Sequence, residues 1–255
     1  MKYNSFQVIY VIWLREMKRF FRAKSRLISN LILPFFFLFS MGFGFRSVRL
    51  SGSFGQTNFL TFLTPGIIGM TILFNSMFVG LSVLWDREFG FLKEMMVAPI
   101  RRSDIILGRI SGGVTTNLIQ GILILVVSFF MGFRIPNLVS FFLAFLFMIL
   151  ISLGFIGAGI IITSKIEDPQ GFSLIMHFFT FPSFFLSGAL FPINNFPDWV
   201  KPLTLINPLT YGIDGLRASL IGFSHFSLFF DFFLLLIFDL LVIFLASWFF
   251  DKTEL

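Results

Sequence analysis

Two acidic residues stand inside an otherwise unbroken apolar run near the end of this 255-residue chain, Asp231 and Asp239. A carboxylate at membrane depth costs about 2.5–3.5 kcal/mol on insertion scales, so it is suspected of carrying protons or cations, or of tying one helix to another. The two lie two turns apart on one helix, too far to share a proton. His177 is the other titratable group at depth, read as a packing or hydrogen-bonding residue before a proton relay. Asn75, Asn117 and Gln120 can line a pathway or join helices by hydrogen bonds. The remaining chemistry is thin. With no cysteine and two histidines, thiol catalysis, disulfides and cysteine- or histidine-rich metal sites are excluded. No paired aspartates, Ser-His dyad or HExxH stands at suitable depth for an intramembrane enzyme.

The elements that must position these groups follow from composition. Hydrophobic residues make up 56% and charged residues 13% of the chain, and mean hydropathy is +0.92, which describes an integral membrane protein. The expected fold is all-α, a single transmembrane domain over 1–255 with six transmembrane helices at 27–45, 59–84, 104–131, 138–163, 172–190 and 227–250. Pro34 predicts a kink in the first, Gly108 and Gly112 a close helix contact in the third, and Gly154, Gly157, Ala158 and Gly159 a small-residue patch in the fourth. Residues 4–26 divide at helical spacing into a stripe of Arg15, Arg19, Arg22 and Arg26 opposite Phe6, Ile9, Trp13, Met17 and Phe20. That division predicts an N-terminal interfacial amphipathic helix, arginines toward anionic headgroups or a cytoplasmic partner. The first span then serves as an uncleaved anchor, since no small-residue cleavage site follows Lys2.

The longest charged interruption, 85–110, organises the rest. Asp86 is expected to cap a short helix over 86–98 that Pro99 halts. Farther on, 191–222 is broken by Pro192, Pro197, Pro202 and Pro208, too polar to cross a bilayer and too apolar for a free loop. Two short helices there, about 198–205 and 208–222, predict a re-entrant outer hairpin before the last span. Fourteen of the nineteen Lys and Arg residues fall on one side if the N-terminus is cytoplasmic, so both termini and the charged helix are expected inside, in the cell membrane.

Arg87-Glu88-x-Gly90-x-Leu92, Pro99-Ile100-x-Arg102 and Ile106-Leu107-Gly108 together resemble the cytoplasmic signature of the type-2 permeases of ATP-binding-cassette exporters, the class of multidrug and polysaccharide exporters. Phe196-Pro-Asp-Trp199, Asn207-Pro-Leu-Thr-Tyr211 and Asp214-Gly-Leu-Arg217 resemble that family's segment before the last span, and the order of elements agrees along nearly the whole chain. Lys93 departs from the acidic residue many relatives carry. The resemblance implies that a cytoplasmic coupling helix, with Asp86, Arg87, Glu88, Gly90, Leu92, Glu94, Pro99, Arg101 and Arg102, docks on a separate ATPase subunit. It also implies an outer segment with Pro197, Trp199, Asn207, Pro208, Tyr211, Asp214 and Arg217, and a second permease subunit, expected as a homodimer. No GxxxxGK[ST] occurs, so ATP and Mg are expected on the partner, with no cofactor on this chain and no nucleic acid bound. The expected activity is export of a hydrophobic or amphipathic compound by alternating access. The alternative is a proton- or cation-coupled carrier or channel using Asp231 and Asp239.

Overall fold

The computed structural model describes residues 4–45, 49–50, 57–166 and 168–251. The side chains of Arg26 and Leu92, and most of the connection at 46–58, lie outside the described residues. Among the described residues the fold is helical apart from one two-residue antiparallel ladder pairing Arg49 with Asn58 and Leu50 with Thr57.

The first helix, α1 (Ser5–Arg22), is capped by Asn4, whose side chain accepts from the Phe6 N–H at 3.3 Å. It ends at Ala23, and α2 (Lys24–Gly44) carries Pro34 within it. After the ladder, α3 (Phe59–Glu88) is the longest helix and the most enclosed, with fully shielded Phe62, Leu63, Ile67, Ile68, Met70, Ile72 and Leu73. A short helix α4 (Phe91–Val97) leads into α5 (Arg102–Phe130), α6 (Leu138–Lys165) and α7 (Pro169–Leu186). The chain then makes a single 3₁₀ turn and two short helices, α8 (Lys201–Ile206) and α9 (Pro208–Ile221), before α10 (Leu228–Asp251).

Four of these helices, α3, α5, α6 and α10, are long and apolar enough to cross a membrane. The apolar part of α2 is the shorter Ile28–Gly44, and α7 runs only eighteen residues. The segment expected over 172–190 is shifted toward the N-terminus. Asp168 caps it by accepting from the Gln170 and Gly171 N–H groups, Pro169 opens its first turn, and Gly188 at φ 74° follows its end.

Close approach of α3 and α6 depends on glycine. A Cβ on Gly80 would lie 2.7 Å from the carbonyl carbon of Gly159, so the two backbones touch where the small-residue patch of α6 was expected to make contact. Gly154 and Gly157 receive Phe238 and Val242 of α10 in the same way. Gly108 and Gly112 of α5 admit Ile12 and Glu16 of α1. The expected GxxxG contact is therefore made to the N-terminal helix, not to another span.

Candidate functional site

The charged segment differs from its expected form at its start. Asp86 does not cap a helix: it lies in the last turn of α3, which ends two residues later at Glu88, and α4 is seven residues rather than thirteen. Gly90 makes the break, at φ 76° where a residue with a Cβ is strained. Ala98 in extended conformation before Pro99 ends α4 as the ring of Pro99 requires.

What displaces Asp86 from a capping role is an ion cluster. Its carboxylate accepts from Arg109 of α5, from Arg15 Nη2 at 3.1 Å and from Arg19 Nη1 at 3.5 Å. Arg109 is 2% exposed and its Nε and Nη1 have no partner among the described residues. A buried guanidinium must be compensated nearby, and Asp86 is its hydrogen-bonded counter-charge, with the Glu16 carboxylate a second negative charge close by. Arg15 also lies 3.4 Å from Glu16 and 3.9 Å over the Phe91 ring, joining α1 to the first residue of α4. The arginine stripe of α1 is thus split, contrary to its expected outward orientation. Arg15 and Arg19 turn to Asp86, and Arg22 is exposed. The opposite face is also shared. Trp13 donates its indole N–H to Thr115 Oγ1 at 3.0 Å, while Phe6 is 74% exposed.

Around α4 the other residues expected to couple are mostly accessible. Glu88, Glu94, Pro99 and Arg101 are exposed, Arg102 opens α5, and Arg87 donates to the Ile166 carbonyl at 2.7 Å, tying the end of α3 to the α6–α7 connection. Phe89 and Val97 present apolar side chains at the same end. Between α1 and α4 lies an open groove of about 670 Å³ lined by Val8, Val11, Ile12, Met95, Pro99 and Ile100.

Deeper in the bundle, Asn75 is the hub of a hydrogen-bond chain across three helices. It accepts from Asn30 at 2.9 Å and donates to Thr116 at 3.3 Å and to Asn117, which in turn donates to Ser76 at 2.8 Å. Asn75 and Asn117 therefore join α2, α3 and α5. Gln120 is fully buried and neither of its amide atoms is paired among the described residues. Interhelical bonds of this kind are worth on average about 0.6 and at most about 1.7 kcal/mol each. Asn75→Ala is expected to lower stability in detergent by roughly 1–2 kcal/mol, read as a drop in unfolding midpoint, and an unchanged midpoint would contradict the joining role.

The segment before the last helix folds inward. In α9, Tyr211, Asp214 and Arg217 are buried. Asn207 caps that helix by accepting from the Leu209 N–H at 3.1 Å and donates to the Ser183 carbonyl at 2.6 Å, with Pro208 opening the first turn. Tyr211 donates to the Leu205 carbonyl at 2.6 Å. Asp214 accepts the N–H groups of His225 and Phe226 at 2.8–2.9 Å, closing the turn into α10. Arg217 donates to the Gly188 carbonyl at 3.0 Å and stacks 3.9 Å over Phe62. Pro197 and Trp199 stay exposed.

Asp231 and Asp239 are buried on α10, and none of their carboxyl oxygens has a hydrogen-bond partner among the described residues. Asp239 packs on Gly154, and Asp231 lies beside Asp214. His177 is exposed, with Nδ1 2.6 Å from the Ser173 carbonyl of its own helix. Among the residues that sequence reasoning passed over are Arg109, Glu16, Asn30 and Thr116. For Arg109 a signal existed: Ile105, Ile106 and Ile110 bracket it at helical spacing, the setting of a buried residue.

Residues 7–221 match the family model described as ABC-2 type transporter. The chain is 28% identical over 242 residues to the inner membrane transport permease YadH of Escherichia coli K12, covering 93% of this chain and 91% of the relative. It is 28% identical over 228 residues to the putative transport permease ycf38 of Cyanophora paradoxa, with 88% and 78% covered. Over a shorter stretch of 154 residues, 60% of this chain and 42% of the relative, it is 29% identical to the probable multidrug ABC transporter permease YbhR of Escherichia coli.

Proposed function

Because the chain belongs to the ABC-2 type transporter family, we propose that this multi-pass permease exports a hydrophobic or amphipathic compound, driven by a separate ATPase subunit that docks on α4. The single observation that carries the coupling assignment is the Asp86 cluster. It fixes the end of α3 to α1 and α5 within one turn of α4, so that a push on α4 reaches two membrane helices without being lost in a slack loop.

In this reading the protein spans the cell membrane six times, through α2, α3, α5, α6, α7 and α10, with both termini cytoplasmic. The positive charge bias supports that orientation. The helix α1 lies in the inner interface, held by its ion pairs as well as by its apolar contacts. The inward-folded α8 and α9 form the outer hairpin, where irregular backbone is covered by protein. A second copy of the permease encloses the pathway. This chain's activity is transport and not catalysis, and ATP with its Mg sits on the ATPase. Work enters as differential nucleotide binding and appears as a shift between inward- and outward-open states.

The test is co-purification with the ATPase followed by substrate-stimulated ATP hydrolysis. Glu88→Lys and Pro99→Gly alter the accessible rim of α4 and are expected to abolish that stimulation and transport while membrane insertion is unchanged. Normal stimulation in both variants would remove α4 from the coupling role. The buried, unpaired carboxyls of Asp231 and Asp239 favour a second reading, a carrier driven by protons or cations. The two readings part on Asp239→Asn, which leaves an ATP-driven exporter active and stops a proton-coupled one that works without any ATPase.

A further inference from the structure

A cleft of about 80 Å³ lies where α1 turns into α2, lined by Glu16, Arg19, Asn30, Asn75, Ser82 and Thr116. It has room for a group the size of a phosphate or for a few waters. Its rim is charged and its floor carries neutral hydrogen-bonding groups. Asn75, Ser82 and Thr116 are each more than nine-tenths buried, and one turn beyond Thr116 the amide of Gln120 is unpaired. Within that floor the groups already bond to one another or to their own helices, Asn75 to Asn30, Thr116 and Asn117, and Ser82 to the Val79 carbonyl, so the donor left for an occupant stands on the rim.

The charge at the rim selects the sign of the occupant. Arg19 and Ala23 also border a shallow surface depression lined by Arg15, Lys18 and Arg22. Glu16 is the one acid of the cleft, and Arg15 stands 3.4 Å from it. Arg19 spends only a long 3.5 Å contact on Asp86, so most of its planar donor fork is available to an anion. Guanidinium forks suit phosphate oxygens, and a basic helix at the membrane surface attracts anionic headgroups.

We propose that this cleft binds the phosphate of a net-anionic lipid headgroup, with Arg19 holding the phosphate and Asn30, which spends one N–H on Asn75, hydrogen-bonding the rest of the headgroup. The site lies within one subunit and shares no lining residue with the groove beside α4. It needs no ATPase, and it stands whether or not the coupling assignment does.

The absence of cysteine makes the test direct. Ser82 lines the cleft and, among the described residues, bonds only to its own helix, donating to the Val79 carbonyl, so Ser82→Cys places a lone thiol at the site. The full-length protein carrying it is reconstituted in phosphatidylcholine vesicles, with or without phosphatidylglycerol, or with inorganic phosphate added. Labelling by the uncharged reagent N-ethylmaleimide is then timed. The expected result is severalfold slower labelling with phosphatidylglycerol, lost when Arg19→Gln or the charge-neutral Asn30→Ala is added. Protection by the lipid alone identifies a headgroup as the ligand, and equal protection by inorganic phosphate identifies the soluble anion at the same site. Three results overturn the proposal: a thiol that does not react in phosphatidylcholine, labelling indifferent to both phosphate sources, or protection that survives in both variants. Asn30→Ala keeps the test decisive if Arg19→Gln does not fold.

Discussion

Asp86→Ala is expected to cost about 3–5 kcal/mol of stability, because it leaves the Arg109 guanidinium buried without its counter-charge. The same change frees Arg15 and Arg19, so α1 loses its polar attachment to α3 while keeping the apolar contacts of Val8 and Ile12. Tryptophan fluorescence can follow unfolding, since Trp13 and Trp85 both lie near the cluster. Arg109→Leu on the alanine background is expected to recover most of the loss, because an apolar side chain of similar reach needs no partner. A double variant as unstable as Asp86→Ala would mean that the cluster's worth lies in Arg15 and Arg19 and not in burying Arg109. An unchanged unfolding midpoint in the single variant would remove the cluster as a structural joint.

Gly80→Val is expected to be at least as damaging, for a steric reason. The first added carbon already meets the Gly159 backbone at 2.7 Å, and the obstacle is main chain that cannot rotate away. Overpacking of cores costs typically about 1–3 kcal/mol when side chains can yield. Where two helix backbones must part, the cost is expected at or above the top of that range. Loss of the monodisperse peak in size-exclusion of detergent-solubilised protein would report it, with Gly80→Ala intermediate. Gly44→Ala is the control: its Cβ meets nothing within 4 Å among the described residues, and alanine is the better helix former by about 0.5–1 kcal/mol. Equal behaviour of Gly80→Val and Gly44→Ala would show that the α3–α6 crossing is not glycine-dependent.

These two sites also mark where sequence reasoning was sufficient and where it stopped. Small residues at Gly154, Gly157 and Gly159 pointed to close packing, and α6 does pack closely through them. Gly108 and Gly112 gave the same signal, yet which helix fills the gap depends on where α1 folds back. Asp86 carries the composition of an N-cap, and a capping aspartate is indistinguishable in sequence from one inside a final turn. The choice was made by Arg109, twenty-three residues along the chain. Asn75 and Asn117 were open to lining a pathway or joining helices, and their hydrogen bonds to each other and to Asn30, Thr116 and Ser76 join helices.

The segment before the last helix divides in the same way. Four prolines signalled that the chain could not cross there as one helix, and α8 and α9 are short accordingly. That Asp214 would close the turn at His225 and Phe226, and Arg217 stack on Phe62, required α9 to be inside the bundle.

The linear sequence by itself determined that this is a helical membrane chain, where charge must leave the hydrocarbon, and that a short helix interrupts it between two long ones. Those outcomes follow from transfer energies and helix periodicity, which act residue by residue and need no knowledge of neighbours. Only tertiary structure decided which arginines face inward, which amides join helices, and where a polar cleft remains. Such pairings depend on distance and shielding from water, and both are set by helices far apart in the chain.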